Sequence, residues 1–214
     1  MTRRVLVVSH EASRTGAPKV AANVLDALAA GGWETVVAHR WGGPYLEELD
    51  RHAGRSLREP LARSRALFRR RRAVRHRIYP LTDGMERWAV GRVLDAAAPD
   101  LVWCNTVVAA PYAIEAERRG IPVVLHSHEQ GGLLESMTNR PGALPGDRGL
   151  TTMVGCATET AADLAESLGL DVADVTVLQS PVDVGEIATA GAASSDPYPA
   201  GHGPIVAACG TGDH

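Results

Sequence analysis

Short, fully apolar runs alternate along this chain with stretches whose apolar residues recur every three or four positions. Val5 to Ser9 is the first such run and reads as a buried strand, followed by a polar turn that ends in Gly16. From Pro18 onward, Val20, Val24, Leu25 and Leu28 keep helical spacing. A helix is therefore expected to open at that proline, which needs no N–H at a first helical position, and to end at Gly31-Gly32. Trp33 to Ala38 is the next strand. Strand, helix and strand in this order imply a right-handed crossover and a parallel sheet.

The same alternation continues. Trp41 to Pro44 is a loop, and Tyr45 to His52 a short helix. A helix capped by Thr82 or Asp83, with Glu86 in capping-box position, is expected to run to Ala98 and to stop at Pro99. Strands are expected at Asp100 to Asn105, Ile121 to Leu125, Thr152 to Cys156 and Val175 to Leu178, with helices at Ala109 to Arg119 and Glu159 to Leu168. Gln130 to Gly149, broken by Gly131-Gly132, Pro141-Gly142 and Pro145-Gly146, reads as loop. The expected fold over residues 1–185 is a doubly wound, Rossmann-like α/β domain with a parallel sheet, its first strand central and helices on both faces. Ala188 to Gly203 lacks periodicity and is rich in Ala, Gly, Ser and Pro, so residues 186–203 read as a linker. Pro204 to Ala208 then begins a new strand and Gly210 to His214 its turn, which reads as the first strand of a truncated second domain over 204–214.

Composition changes this picture in three places. No apolar run approaches a membrane span, and Met1-Thr2-Arg3-Arg4 leads directly into a strand, not a signal peptide. Cys104, Cys156 and Cys209 are odd in number and widely spaced, which argues for reduced thiols in a cytoplasmic protein and against a disulfide framework. Net charge is a mild −3, but Arg58 to Arg77 concentrates arginines in a block that reads as a helix with scattered apolar residues. It suits peripheral contact with an anionic surface, or a solvated, mobile insertion near the acceptor side; nucleic acid is not expected, because no aromatic platform is interleaved with the arginines.

In a parallel sheet the candidate chemistry lies at the carboxyl ends of the strands. His10 and Glu11, Asn105 and Thr106, His126 to Glu129, and Ser180 with Asp183 fall there. The turn before the first helix, with Gly16 and Ala17, is a candidate anion site at a helix N-terminus. It has neither GxGxxG nor a Walker sequence, so an ordinary tight turn competes with that reading. His126 and His128 are two apart and point to one side of an extended strand. Three readings of these histidines stay open: zinc ligands with His10 and Cys104, hydrogen-bonded residues closing a strand, or one of them a substrate-binding or catalytic histidine beside a phosphate turn. A nicotinamide-dependent oxidoreductase is disfavoured, since the second strand ends Ala38-His39-Arg40 with no acidic residue. A sugar-phosphate epimerase of the same architecture stays open.

The segments SHEASRTGAPKVAANVL, DLVWCNT, IPVVLHSHE, VGCATETAADL and VTVLQSPVDV, in this order and spacing, resemble the N-terminal domain of family 4 glycosyltransferases of the GT-B type. Cys156 stands where that family usually has serine, and Ser180-Pro181 replaces an Asn-Gly pair. The resemblance implies a retaining glycosyltransferase of which this chain is the N-terminal, acceptor-side half, inactive or nearly so alone. It implies that Gly16 and Ala17 approach the diphosphate of a nucleotide sugar and that His128, or secondarily His126, lines the sugar–acceptor junction. His10, Asn105, Thr106 and Glu129 would contact substrate. It implies no metal and no cofactor beyond the donor, and a C-terminal domain supplying the cations that meet the diphosphate. The acceptor is unknown. The alternative is a non-catalytic acceptor- or anion-binding domain of the same fold.

Overall fold

The computed structural model describes residues 2–60, 75–138 and 143–179, together with Gly185, Ala188, Thr189 and Ala192. The chain divides into two compact units, Met1–Ser180 and Pro181–His214. In the second, the described positions of the expected linker, Ala188, Thr189 and Ala192, are helical, and the expected strand at 204–208 lies outside the described residues. Ser180, Asp183 and Cys209 lie outside them as well, as does the middle of the arginine block, 61–74.

In the first unit, β1 (Arg4–Ser9), β2 (Glu34–His39), β3 (Arg55–Arg58), β4 (Leu101–Cys104), β5 (Val123–Ser127), β6 (Thr151–Gly155) and β7 (Val175–Val177) form one sheet in the order β3-β2-β1-β4-β5-β6-β7. Every neighbouring pair is parallel. β1 is interior, paired with β2 on one side and β4 on the other, and the strand order reverses there. The helices are α1 (Gly16–Ala30), α2 (Leu46–His52), α3 (Arg75–Ala97), α4 (Ala110–Arg118), α5 (Gly131–Thr138) and α6 (Thr158–Leu168).

Period-two alternation sends the apolar residues of each strand into two cores. Leu6, Val8, Val36, Ala38, Val102, Cys104, Val123 and Leu125 pack against Val90, Val93 and Leu94 of α3, Tyr112 and Ala116 of α4, Leu134 of α5 and Leu164 of α6. Val5, Val7 and Val37 pack on the other face against Val20, Leu25 and Leu49 of α1 and α2. Helices on both faces are therefore as the sequence pattern predicts, and the first strand, expected to be central, is interior, third of the seven.

Four local expectations are corrected. α1 begins at Gly16, two residues before Pro18, because Thr15 already has the extended backbone of a cap residue (φ −86°, ψ 177°). α3 is already helical at Arg75, the first described residue after 60, so Thr82 and Asp83 are interior helical residues and not caps. The capping-box pattern of Asp83 and Glu86 mimicked a helix start. α5 occupies Gly131–Thr138 within the expected loop, its Gly-Gly opening having masked it. Arg58 ends a strand instead of opening a basic helix; the polar edge strand RSLR, its residues mostly exposed, carries no apolar signal.

Candidate functional site

The carboxyl ends of β1, β4 and β5 converge where the strand order reverses, the crevice in which open α/β sheets bind ligands. His10 directly follows β1, half-buried, and its Nδ1 lies 3.2 Å from the hydroxyl of Thr106, two residues past β4. Its Nε2 is 3.7 Å from Glu11 Oε1. Burial lowers the His10 pKa; Glu11 opposes this and Arg40 reinforces it. Trp41 stands edge-on to the same ring at a centroid distance of 6.0 Å.

One residue before Thr106, Asn105 reaches from the end of β4 into the first turn of α1, where its Nδ2 donates to the Ala17 carbonyl at 2.7 Å. Thr15 makes no side-chain cap and the first turn holds no acidic residue. With helical residues beginning at Gly16 and Pro18 lacking an N–H, Gly16 and Ala17 supply the first-turn amides that have no intrahelical acceptor. The positive end of α1 thus faces the crevice with two backbone donors.

The turn that presents these donors is braced by the segment after β2. Arg40 N donates to Ser9 O, Trp41 N to His10 O at 2.9 Å and Tyr45 N to Ala12 O at 2.8 Å. Gly43 lies so close that an added Cβ would stand 2.1 Å from the Ala12 oxygen and 2.4 Å from its carbonyl carbon. Both are backbone atoms with nowhere to go. Gly43→Ala is expected to destabilise the domain by about 2–4 kcal/mol, measured as the shift in chemical-denaturation midpoint. A change under about 0.5 kcal/mol would show that the two loops do not touch in this way.

His126 on β5 and His128 just past its end face the same side, with ring centroids 4.3 Å apart and planes inclined by 46°. His126 is wholly buried, and Trp103 meets it edge-on at 5.9 Å. Its pKa falls to about 4, by burial first and then by His128, with a smaller opposing effect from the Leu178 backbone. His128, half-buried, also falls to about 4, through burial and then His10. Both rings are neutral at pH 7, so His128 can offer an N–H or accept a proton, and it is the more accessible of the two.

Glu129 is 8% exposed, and its Oε2 accepts from the His128 and Val107 amides at 3.0 and 3.2 Å. Burial raises its pKa, against the lowering effect of these donors. Cys104 lies on the opposite face, with Sγ 3.5 Å from the Ala109 carbonyl and burial pushing its pKa up to about 12. The zinc set drawn from His10, His126, His128 and Cys104 does not converge. Cys156 is half-buried, its Sγ 3.5 Å from the Thr160 hydroxyl.

A cluster not foreseen from the sequence sits beside the histidines. Arg40, 5% exposed, donates from Nε to Glu59 Oε2 at 2.9 Å and from Nη1 to the Val108 carbonyl at 2.8 Å, and pairs through Nη2 with Glu86. Tyr112 donates to Glu59 Oε2 at 3.0 Å, and burial together with Glu59 raises its pKa well above the usual value. Residues 40, 59, 86 and 112 share no spacing rule; the one sequence signal was a charge directly after a buried strand. A separate groove of about 550 Å³ between α5 and α6 is lined by Glu135, Asp163 and Glu166 and shares none of these residues. Its acidity does not suit a diphosphate.

The switch-point crevice, the open N-terminus of α1 and the neutral histidines on β5 define an α/β domain of the kind that forms the N-terminal half of GT-B glycosyltransferases. The chain belongs to the glycosyl transferase 4-like domain family, whose model matches residues 15–197. Among solved structures it is similar to Anabaena HepE in complex with UDP and glucose (15% identity, TM-score 0.60, 86% of this chain and 46% of that one). It is also similar to the lipopolysaccharide outer core galactosyltransferase WaaB in its apo form (11% identity, TM-score 0.56, 86% and 47%). A third is UDP-GlcNAc 2-epimerase from Neisseria meningitidis bound to UDP-GlcNAc (16% identity, TM-score 0.50, 83% and 47%). The chain spans about half the length of these structures. No curated protein sequence matches it. Among the described residues, no helix is long and apolar enough to cross a membrane.

Proposed function

We propose that this chain is the acceptor-side half of a retaining glycosyltransferase that draws on a nucleotide-sugar donor. The observation that carries this reading is that the uncapped first turn of α1, held by Asn105, and the neutral His128 both stand at the carboxyl ends of the strands around the switch point. Gly16 and Ala17 would meet diphosphate oxygens through backbone N–H groups. His128 would contact the reacting hydroxyl, where a hydrogen bond that strengthens in the transition state accelerates the step. His10 and Thr106 would border the sugar or acceptor, with His126 beneath them. Asn105 would act by fixing the helix that offers the amides. UDP with glucose in HepE and UDP-GlcNAc in the epimerase support a nucleotide-sugar partner. Retention and metal independence are drawn from the family resemblance, as are the cations of a C-terminal domain; the cytoplasmic setting is drawn from the odd number and wide spacing of the cysteines. Contact with an anionic surface is drawn from the Arg58 to Arg77 block.

The experiment is a transfer assay on an enzyme carrying both halves, with UDP-, GDP- and ADP-sugars and a panel of acceptors, read by NMR at early times. Product that keeps the donor's anomeric configuration, formed in the presence of a chelator, supports the reading. Inversion of configuration, a 2-epimerised donor, or donor binding without turnover would each overturn it, the last in favour of a binding domain.

A further inference from the structure

β5 and its ladder to β6 end at Ser127, paired with Gly155, so no strand hydrogen bond fixes the backbone of His128. What holds it is the next side chain. Glu129 Oε2 accepts from the His128 N–H at 3.0 Å, the Val107 N–H at 3.2 Å and the Ser127 hydroxyl at 3.3 Å. Three protein donors on one oxygen of a buried carboxylate leave that oxygen little capacity for a sugar hydroxyl.

Val107 opens the single 3₁₀ turn Val107–Ala109 that follows β4. The same turn is gripped from its other side, since Arg40 Nη1 donates to the Val108 carbonyl at 2.8 Å. Arg40 is held in turn by Glu59 and Glu86. A continuous set of buried polar contacts therefore runs from the ends of β2 and β3, through the 3₁₀ turn, to the backbone of His128.

We propose that Glu129 is a positioning residue: its carboxylate ties the His128 backbone and the end of β5 to the Val107 turn, and so sets where the His128 ring stands in the crevice. The kinetic consequence rests on the transferase reading above; the positional claim does not. Misplacing a reacting group by about 1 Å costs on the order of 100-fold in rate while leaving binding largely intact.

Two measurements decide it. In the full chain, amide hydrogen exchange at Val107 and His128 is expected to quicken about tenfold or more in Glu129→Ala and to stay near the parent value in Glu129→Gln, whose amide oxygen still accepts. In an enzyme carrying both halves, Glu129→Ala is expected to lower kcat about 50-fold with KM for donor and acceptor changed less than about threefold, and Glu129→Gln to recover most of that loss. Should the alanine variant not fold, Glu129→Asp, too short to span all three donors, carries the same contrast. Unchanged exchange in the Ala or Asp variant overturns the proposal whatever the kinetics. So does a rise in KM shared by Ala and Gln, which would make Glu129 a sugar ligand. An inactive parent enzyme would remove the transferase reading, and the exchange measurement would still decide the role of Glu129.

Discussion

Replacing His128 by alanine in an enzyme carrying both halves is expected to lower kcat about 100-fold while donor KM moves less than about threefold. The ring stands half-buried at the end of β5, and burial followed by His10 brings its pKa to about 4. At pH 7 it is therefore neutral and can orient, or share a proton with, a reacting hydroxyl. Such a contact counts chiefly in the transition state, which is why the loss is expected in turnover and not in donor binding. The same change should leave the folded domain at least as stable near pH 5, since it removes a ring that resists protonation. Unchanged turnover would show that the crevice does its chemistry elsewhere.

Acid should destabilise the domain well above the range in which ordinary carboxylates titrate. Both His126 and His128 are depressed from 6.5 to about 4, so between those values the unfolded chain binds more protons than the folded one. Their contribution is fully present above pH 6.5 and is lost as pH falls toward 4. A shift of that size corresponds to about 3 kcal/mol per ring as an upper figure. His10 and His39, also lowered by burial, act in the same direction. Glu129, raised by burial from 4.5, opposes the trend over the range upward from that value. Denaturation midpoints of the full chain, compared at pH 7.5, 5.5 and 4.5, test this. His126→Leu should flatten the pH dependence by one ring's share, and an unaltered slope would remove His126 as a cause.

The elements that carry the site were the ones most legible in the sequence. β1, β4 and β5 are short apolar runs buried on both faces, and their polar ends name His10, Asn105, Thr106 and the His126 to Glu129 segment directly. What escaped were elements and contacts with no periodic signature. β3 is polar because it is an exposed edge, and α5 opens on two glycines. Arg40, Glu59, Glu86 and Tyr112 meet through tertiary packing that no local pattern encodes. Asn105 and Glu129 were found as site residues, yet their hydrogen bonds run to the protein itself, to backbone and, for Glu129, also to the Ser127 hydroxyl. Their position was readable, but the partner of each was not. Cys104 shows the converse, since strand alternation turns its side chain to the face opposite His126.

The pairing of β1 with β4 has a consequence for how the protein is made. Val5 registers with Leu101, and His10 meets Thr106 across 96 residues of chain. During synthesis β1 and β2 can pair early, but the β1 edge that β4 will occupy stays open until the far side of that long crossover has emerged. At about 10 residues per second, that interval is on the order of ten seconds. Through it the nascent half-sheet presents an unpaired apolar edge, the kind of surface that chaperones hold and that other chains invade. The crevice closes in the same event that covers this edge, so a chain able to bind ligand there has already passed its most aggregation-prone stage.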